Sequence, residues 1–337
     1  MGRQRSSIFT GSGRVLPARK IGNRDFLEHE FFLDRDEPLD PSRSAEVIAK
    51  FEEITEISER RYALEDRVAS DLGVTAAERA LADAELDPET LDYIIVAHNF
   101  GDVRSDRLYL DFCPRCPGWL QGVIQAHYFL QSGDASSALI VGAETLSRVV
   151  DPHDRDSMIY ADGAGAAVLE ARDDLEDVGI LSHVTRSDTA EHARLISMGP
   201  SYDPGHEDHR LFLKMQGRRV YEYALQTVPG VVQESLERAG LTLADVTKVL
   251  IHQANAKMDH AILKRLFRLY RIRRIPDHIM PMTISWLGNS SVATLPTLFD
   301  LVQRGEMEGP GLSSGDVVVF ASVGAGMNVN SVVYRVP

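Results

Sequence analysis

The stretch RALADAELDPETLDYIIVA (79–97) lies over ESLERAGLTLADVTKVLIH (234–252) without a gap. Leu81 falls on Leu236, Ala84 on Ala239, Leu86 on Leu241, and Ile94-Ile95-Val96 on Val249-Leu250-Ile251. Each copy reads as a helix, a short acidic turn and an apolar, β-rich strand. The echo continues downstream. Ser132-Gly133-Asp134 precedes SALIVGAE, Ser314-Gly315-Asp316 precedes VVVFASVGAG, and Gly163-Ala164-Gly165 has a counterpart in Gly324-Ala325-Gly326. Two helices that pack alike could match once by chance. An ordered series of three matches points instead to a duplicated α/β fold in which each half supplies a sheet layer.

Local patterns fill in the remainder. Ile8-Phe9-Thr10 reads as a strand that ends in a turn at Gly11-Ser12-Gly13, and residues 26–42, rich in Asp, Glu and Pro, read as an exposed loop. Helical spacing covers 45–55 and resumes from Thr75. The chain has 337 residues, 44% hydrophobic and 26% charged, which suits a globular protein of about two domains. A net charge of −14 argues against general binding of nucleic acid or anionic membrane. No apolar run is long enough for a membrane span or a signal peptide, and two cysteines make no disulfide framework. A cytoplasmic enzyme is the expectation.

Chemistry concentrates at three places. Cys113-Pro114-Arg115-Cys116-Pro117-Gly118-Trp119 comes between an apolar stretch and the helical run GWLQGVIQAHYFLQSG. Cys116 is therefore expected at a helix start, where unpaired N–H groups and the helix dipole lower a thiol's pKa, with Pro117 at the first helical position. CPRC also fits a redox-active pair or an inert buried cysteine, and a zinc site would need His98 and His127 to complete it. His252-Gln253-Ala254-Asn255 closes an apolar strand, and in α/β sheets ligands gather beyond the carboxyl ends of strands. Gly288-Asn289-Ser290-Ser291 is a turn into a helix, where Asn289 suits an N-cap. Asn289 precedes its helix much as Cys116 precedes its own. In a duplicated fold those two helix starts meet across a pseudo-twofold axis, and Cys116, His252 and Asn289 become one constellation.

The set CPGW (116–119), GAETLSR (142–148), DRDSMIYADGAGAAVLE (154–170), HQAN (252–255), GNSSVA (288–293) and VGAGMNV (323–329) resembles β-ketoacyl-ACP synthase III of the thiolase superfamily. FTGSGRVLP (9–17) and the region from ERRY (59–62) to LDYIIVAHNFG (91–101) agree, so the resemblance spans nearly the whole chain. It implies a thiolase-like fold of two duplicated βαβ-type halves, 1–172 and 173–337, in a layered α/β/α/β/α core. It also implies that Cys116 takes an acyl group from a thioester, usually acyl-CoA, and that malonyl-ACP then loses CO₂ and attacks the acyl-enzyme. His252 and Asn289 match the donors to the malonyl carbonyl. The backbone N–H groups of Cys116 and Ala325 match the hole for the tetrahedral intermediate. No metal or cofactor is implied, and a homodimer is. Rival functions are acyl transfer or hydrolysis without decarboxylation, and a non-catalytic protein that binds acyl carrier protein.

A basic island follows HQAN. Lys257, Lys264, Arg265, Arg268, Arg271, Arg273 and Arg274 stand against one acid, Asp259. In an acidic protein this reversal suits docking of acidic acyl carrier protein, with Lys257, Lys264, Arg265 and Arg268 as candidates and Arg218 and Arg219 bordering them; the bland alternative is a solvated helix face. Three departures from the family stand out. The segment between His98 and Cys116 is shorter by about one helix. Phe51, Ile54 and Glu56 replace the family's Trp, Arg and Gly near the CoA mouth, which leaves the primer's carrier open. Cys113 sits where it could form a disulfide with Cys116.

Overall fold

The computed structural model describes residues 5–34, 37–101, 110–112, 116–207 and 210–337. The first part of the chain runs β1 (Ser6–Val15), α1 (Ser44–Thr55), α2 (Ala69–Asp83), β2 (Tyr93–Ala97), β3 (Leu110–Phe112), α3 (Gly118–Ser132), β4 (Ser137–Thr145) and β5 (Asp162–Arg172). The remainder runs β6 (Gly179–Ser187), α4 (Gly217–Arg238), β7 (Val246–Ile251), α5 (Ala256–Leu269), α6 (Thr294–Gln303), β8 (Val317–Gly324) and β9 (Asn328–Arg335).

Among the described residues, the larger of the two main sheets has the order β1-β5-β4-β2-β3 and the smaller β6-β9-β8-β7, with three two-stranded pairs beside them. The pairing senses agree strand for strand. β1–β5 and β4–β5 are antiparallel and β2–β4 parallel; β6–β9 and β8–β9 are antiparallel and β7–β8 parallel. The repeat legible at 79–97 and 234–252 is thus the end of α2 running into β2, and the end of α4 running into β7.

Helices α3 and α6 lie between the sheets, and every residue of α6 from Thr294 to Val302 is buried. There Phe9 packs on Phe299 (centroids 4.8 Å apart) and Tyr334 (5.0 Å), which ties β1, α6 and β9 together. Leu72, Ala76, Ala80 and Leu81 of α2 cover the outer face of the first sheet. Helices α4 and α5 cover the outer face of the second. The result is the α/β/α/β/α layering, with the near-continuous apolar strands of each sheet covered on both faces except at β2, where Ile94 is 47% exposed.

Two local expectations are corrected. Gly11-Ser12-Gly13 is no turn: β1 continues through it to Val15, with a register shift between Phe9 and Gly11. The glycines serve helix packing instead. A Cβ on Gly11 would lie 2.3 Å from the carbonyl oxygen of Ala80, and one on Gly13 2.4 Å from that of Ala76, so α2 rests backbone against backbone on β1. Residues 26–42 are more than loop. They contain the short pair Phe32–Asp34 and Glu37–Pro38, and they bury Phe26, Phe31 and Leu39 against Ile48 of α1.

Candidate active site

Cys116 sits in the turn that enters α3, and Pro117 is the N-cap rather than the first helical residue. Close approach of the second half shapes this turn. A Cβ on Gly324, the last residue of β8, would lie 2.8 Å from the Cys116 Cβ and 2.6 Å from the Pro117 Cδ. The bare glycine lets the following Ala325 bring its backbone N–H to the thiol, beside the N–H of Cys116 and the Ser291 hydroxyl. These donors favour the thiolate, yet burial outweighs them and pushes the thiol up to about 11, with Glu144 acting in the same direction. The expected lowering at the helix N-terminus is therefore corrected: in the ligand-free protein desolvation decides.

HQAN divides its labour. His252 leaves β7 with its N–H on the Ala321 carbonyl at 2.9 Å. The Gln253 side chain braces the loop beyond, donating to Pro281 O at 2.9 Å and accepting from the N–H groups of Thr283 (2.8 Å) and Ile284 (3.0 Å). Asn255 caps α5 through Met258 N–H at 3.1 Å. Burial pushes the His252 imidazole down to about 4, against a raising contact with the Ser291 backbone, so the ring is neutral at pH 7. Its Nδ1 has no hydrogen-bond partner among the described residues.

Asn289 is fixed by an exchange with the segment 159–161 that leads into β5, where it forms an isolated bridge with Tyr160. Its N–H donates to Ile159 O and its carbonyl accepts from Ala161 N–H, both at 2.9 Å. Its side-chain oxygen accepts from Ser291 N–H at 2.8 Å in an Asx turn, which corrects the expected N-cap: Ser290 precedes the 3-10 turn 291–293 and Ala293 precedes α6. That bond consumes the amide's acceptor and leaves its NH₂ as the group for the cavity.

Cys116, His252, Asn289 and Ala325 line one cavity of about 240 Å³, walled by apolar side chains such as Phe100, Tyr160, Met198 and Leu213. Met215, Val220, Ala254 and Met258 are shared with an outer cavity of about 590 Å³. Its lining includes Phe51 and Ile54 together with Arg43, Lys50, Arg155 and Arg218 and the acids Glu46 and Asp156; Arg43 pairs with Glu46, Lys50 with Glu53 and Arg218 with Glu222, so a vestibule of mixed charge opens onto the thiol. Glu56 follows with φ 60°, a left-handed conformation that explains why glycine suits that position. A surface groove of about 650 Å³ near Arg14 is larger, but its Arg14, Arg304 and Asp300 are spent on one another.

Sequence reasoning missed a hydrogen-bonded chain behind the thiol. Glu144, at the end of β4, is fully buried and accepts from Asn99 N–H at 2.9 Å and from the Asn99 side-chain amide. That amide also donates to the Ser291 hydroxyl at 2.6 Å. Burial raises the Glu144 carboxyl to about 8 against the Asn99 bonds, and its second oxygen has no partner among the described residues. GAETLSR and GNSSVA contain Glu144 and Ser291, but nothing in either motif joins them. His127 serves elsewhere: it lies about 14 Å along α3 at 1.5 Å per residue and bonds Ser7 Oγ at 2.9 Å. Cys113, its disulfide and most of the shortened segment after His98 lie outside the described residues.

A duplicated five-layer fold with a cysteine at the junction of its halves defines the class: a thiolase-fold, acyl-transferring condensing enzyme. Residues 110–189 match the 3-oxoacyl-[acyl-carrier-protein (ACP)] synthase III family, and residues 236–336 match its C-terminal domain. The β-ketoacyl-[acyl-carrier-protein] synthase III of Paracoccus denitrificans is 31% identical, over 98% of this chain and 99% of that protein. That of Erythrobacter litoralis is 32% identical, over 94% and 95%. Among solved structures, the 3-oxoacyl-[acyl-carrier-protein] synthase III of Aquifex aeolicus superposes with a TM-score of 0.79 at 27% identity, covering 98% of this chain and 99% of that one. The priming β-ketosynthase of the R1128 polyketide pathway superposes with 0.81 at 26%, covering 100% and 98%. The chain belongs to the β-ketoacyl-ACP synthase III family.

Proposed function

We propose that this chain joins an acyl group held on Cys116 to malonyl-ACP by decarboxylative Claisen condensation. Cys116 Sγ attacks the carbonyl of an acyl thioester, and the oxyanion is held by the N–H groups of Cys116 and Ala325. The carrier thiol leaves with the cysteine's proton. Malonyl-ACP then enters with its thioester carbonyl toward His252 and Asn289. As CO₂ departs, the C–C bonding pair forms an enolate whose oxygen accepts from the neutral imidazole N–H and the Asn289 NH₂. The carbanion attacks the Cys116 thioester, and the sulfur leaves to be reprotonated.

The observation that carries this reading is the meeting of thiol, neutral imidazole and oriented amide at one cavity. Donors that never change charge suit an oxyanion that appears only as CO₂ leaves. The same reading makes residues 1–172 the half that supplies the nucleophile and 173–337 the half that supplies the donors.

Arg43, Lys50, Arg155 and Arg218 at the vestibule, three of them in exposed ion pairs that a phosphate can displace, suit acyl-CoA or another phosphorylated carrier as primer donor. Lys257, Lys264, Arg265 and Arg268 are exposed on α5, outside the cavity. Asp259, the one acid in their stretch of sequence, is fully buried, and burial raises its carboxyl well above the usual range; Lys257 pairs with Glu53 of α1 at 3.7 Å, which leaves Lys264, Arg265 and Arg268 as the positive part of the face. It suits acidic acyl carrier protein. We assign the protein to the cytoplasm as a homodimer; sedimentation giving twice 37.4 kDa checks the assembly.

Intact-mass spectrometry after incubation with a panel of acyl-CoAs, with and without malonyl-ACP, tests the chemistry. Wild type gains one acyl mass and loses it to a β-ketoacyl product. Cys116→Ala gains none, whereas His252→Ala and Asn289→Ala acylate but fail to turn over. Acylation of Cys116→Ala would dispose of the proposal.

A further inference from the structure

A second cluster lies where the turn after β4 meets the loop that joins the strands Ile196–Gly199 and Phe212–Met215, a hairpin whose Ile196, Met198, Leu213 and Met215 wall the acyl cavity. His153, Asp203 and His206 are partly buried there, with one ligand atom from each lying within 4.8 Å of the others. Their orientation is set from behind. His153 Nδ1 is 2.9 Å from the Glu30 carbonyl, which can only accept, so in the neutral ring Nδ1 carries the proton and Nε2 presents the lone pair. Asp203 commits Oδ1 to Gly205 N–H at 2.8 Å and points Oδ2 to within 3.7 Å of His153 Nε2. A turn closed by His206 N–H on Asp203 O (3.2 Å) places His206 beside them, its ring edge-on to that of His153 at 5.2 Å.

The base beneath is rigid. Asp151 accepts from Ser201 Oγ at 2.9 Å, from Tyr202 N–H at 2.8 Å and from Lys214 Nζ at 2.5 Å, which fastens the loop to the turn that carries His153. A ring N–H spent on a backbone carbonyl is how metal-ligating histidines are commonly held. Two imidazoles and one carboxylate are a donor set for zinc and its first-row neighbours. Bond lengths of about 2.1 Å in a tetrahedral site separate ligands by about 3.4 Å. Closing from 4.8 Å is within reach of side-chain rotation.

We propose that His153 Nε2, Asp203 Oδ2 and a ring nitrogen of His206 bind a divalent transition-metal ion, zinc foremost, with water completing its shell. The ion latches the hairpin loop to the turn after β4 and so stiffens a wall of the acyl cavity. This site stands apart from Cys116 and does not depend on the condensation chemistry. A bare His153–Asp203 ion pair is the rival account of the same contacts, and it carries no metal affinity.

Calorimetric titration of chelator-stripped protein with ZnCl₂ tests it. One ion binds per chain, and Tm rises with zinc concentration, because the ion binds the folded form. His153→Asn retains a donor for the Glu30 carbonyl and Asp203→Asn retains the acceptor for Gly205. Each weakens binding by roughly 10- to 100-fold or more while the stripped variants keep the wild-type circular dichroism. His260→Ala, an exposed histidine on α5, leaves affinity unchanged. Co²⁺ as probe gives visible ligand-field bands without a thiolate charge-transfer band. Absence of binding, equal affinity in both Asn variants and wild type, or a thiolate band would each overturn the proposal.

Discussion

Burial sets the protonation of each group around the thiol, and it drives acids and bases apart. In the ligand-free enzyme Cys116 titrates at about 11, so its alkylation by iodoacetamide should rise about tenfold per pH unit across pH 7 to 10. A plateau near pH 7 would show a thiolate already formed. His252, near 4, stays neutral in mild acid, so decarboxylation should persist well below the imidazole's usual 6.5. If each donor acts on the enolate oxygen, His252→Ala and Asn289→Ala each cost about 2.7–4 kcal/mol, or 10²–10³ in decarboxylation rate. Glu144 gives a stability test. Its carboxyl titrates at about 8 in the fold against 4.5 when exposed, so between those values the unfolded chain gives up a proton that the native protein keeps. Stability contributed by the protonated carboxyl is complete below 4.5 and lost as pH rises toward 8. Glu144→Gln, which keeps an acceptor for Asn99, should abolish that slope in urea unfolding measured across the window.

At the scale of elements, apolar periodicity identified helices and strands wherever burial follows the local pattern, as in α1, α3, β4 and β8. It failed at Gly11-Ser12-Gly13, because a glycine pair signals a turn locally and close helix approach only in three dimensions. The consequence is measurable. A methyl group at Gly11 meets the Ala80 carbonyl, part of a backbone that has nowhere to move. Gly11→Ala should lower stability by roughly 1–3 kcal/mol, read as a shifted urea midpoint with unchanged slope. Residues 26–42 failed differently: their acids and prolines masked Phe26, Phe31 and Leu39, which find partners on α1.

For the whole molecule, net charge and local charge have opposite signs, and the local one governs docking. Paired reversals Lys264→Glu and Arg268→Glu should raise KM for malonyl-ACP several-fold at low salt, and the gap should close as salt is added. A salt-independent effect would point to damage within α5. The sequence by itself determined the duplication, the layered α/β class and the three side chains brought together, because an amphipathic pattern and a motif are each written in neighbouring residues. Only the tertiary structure decided which groups are desolvated, and it alone joined Glu144 to Asn99 across 45 positions and Asn99 to Ser291 across 192. A hydrogen bond depends on position in space, and a pKa on how much water is excluded; neither is fixed until distant segments have packed.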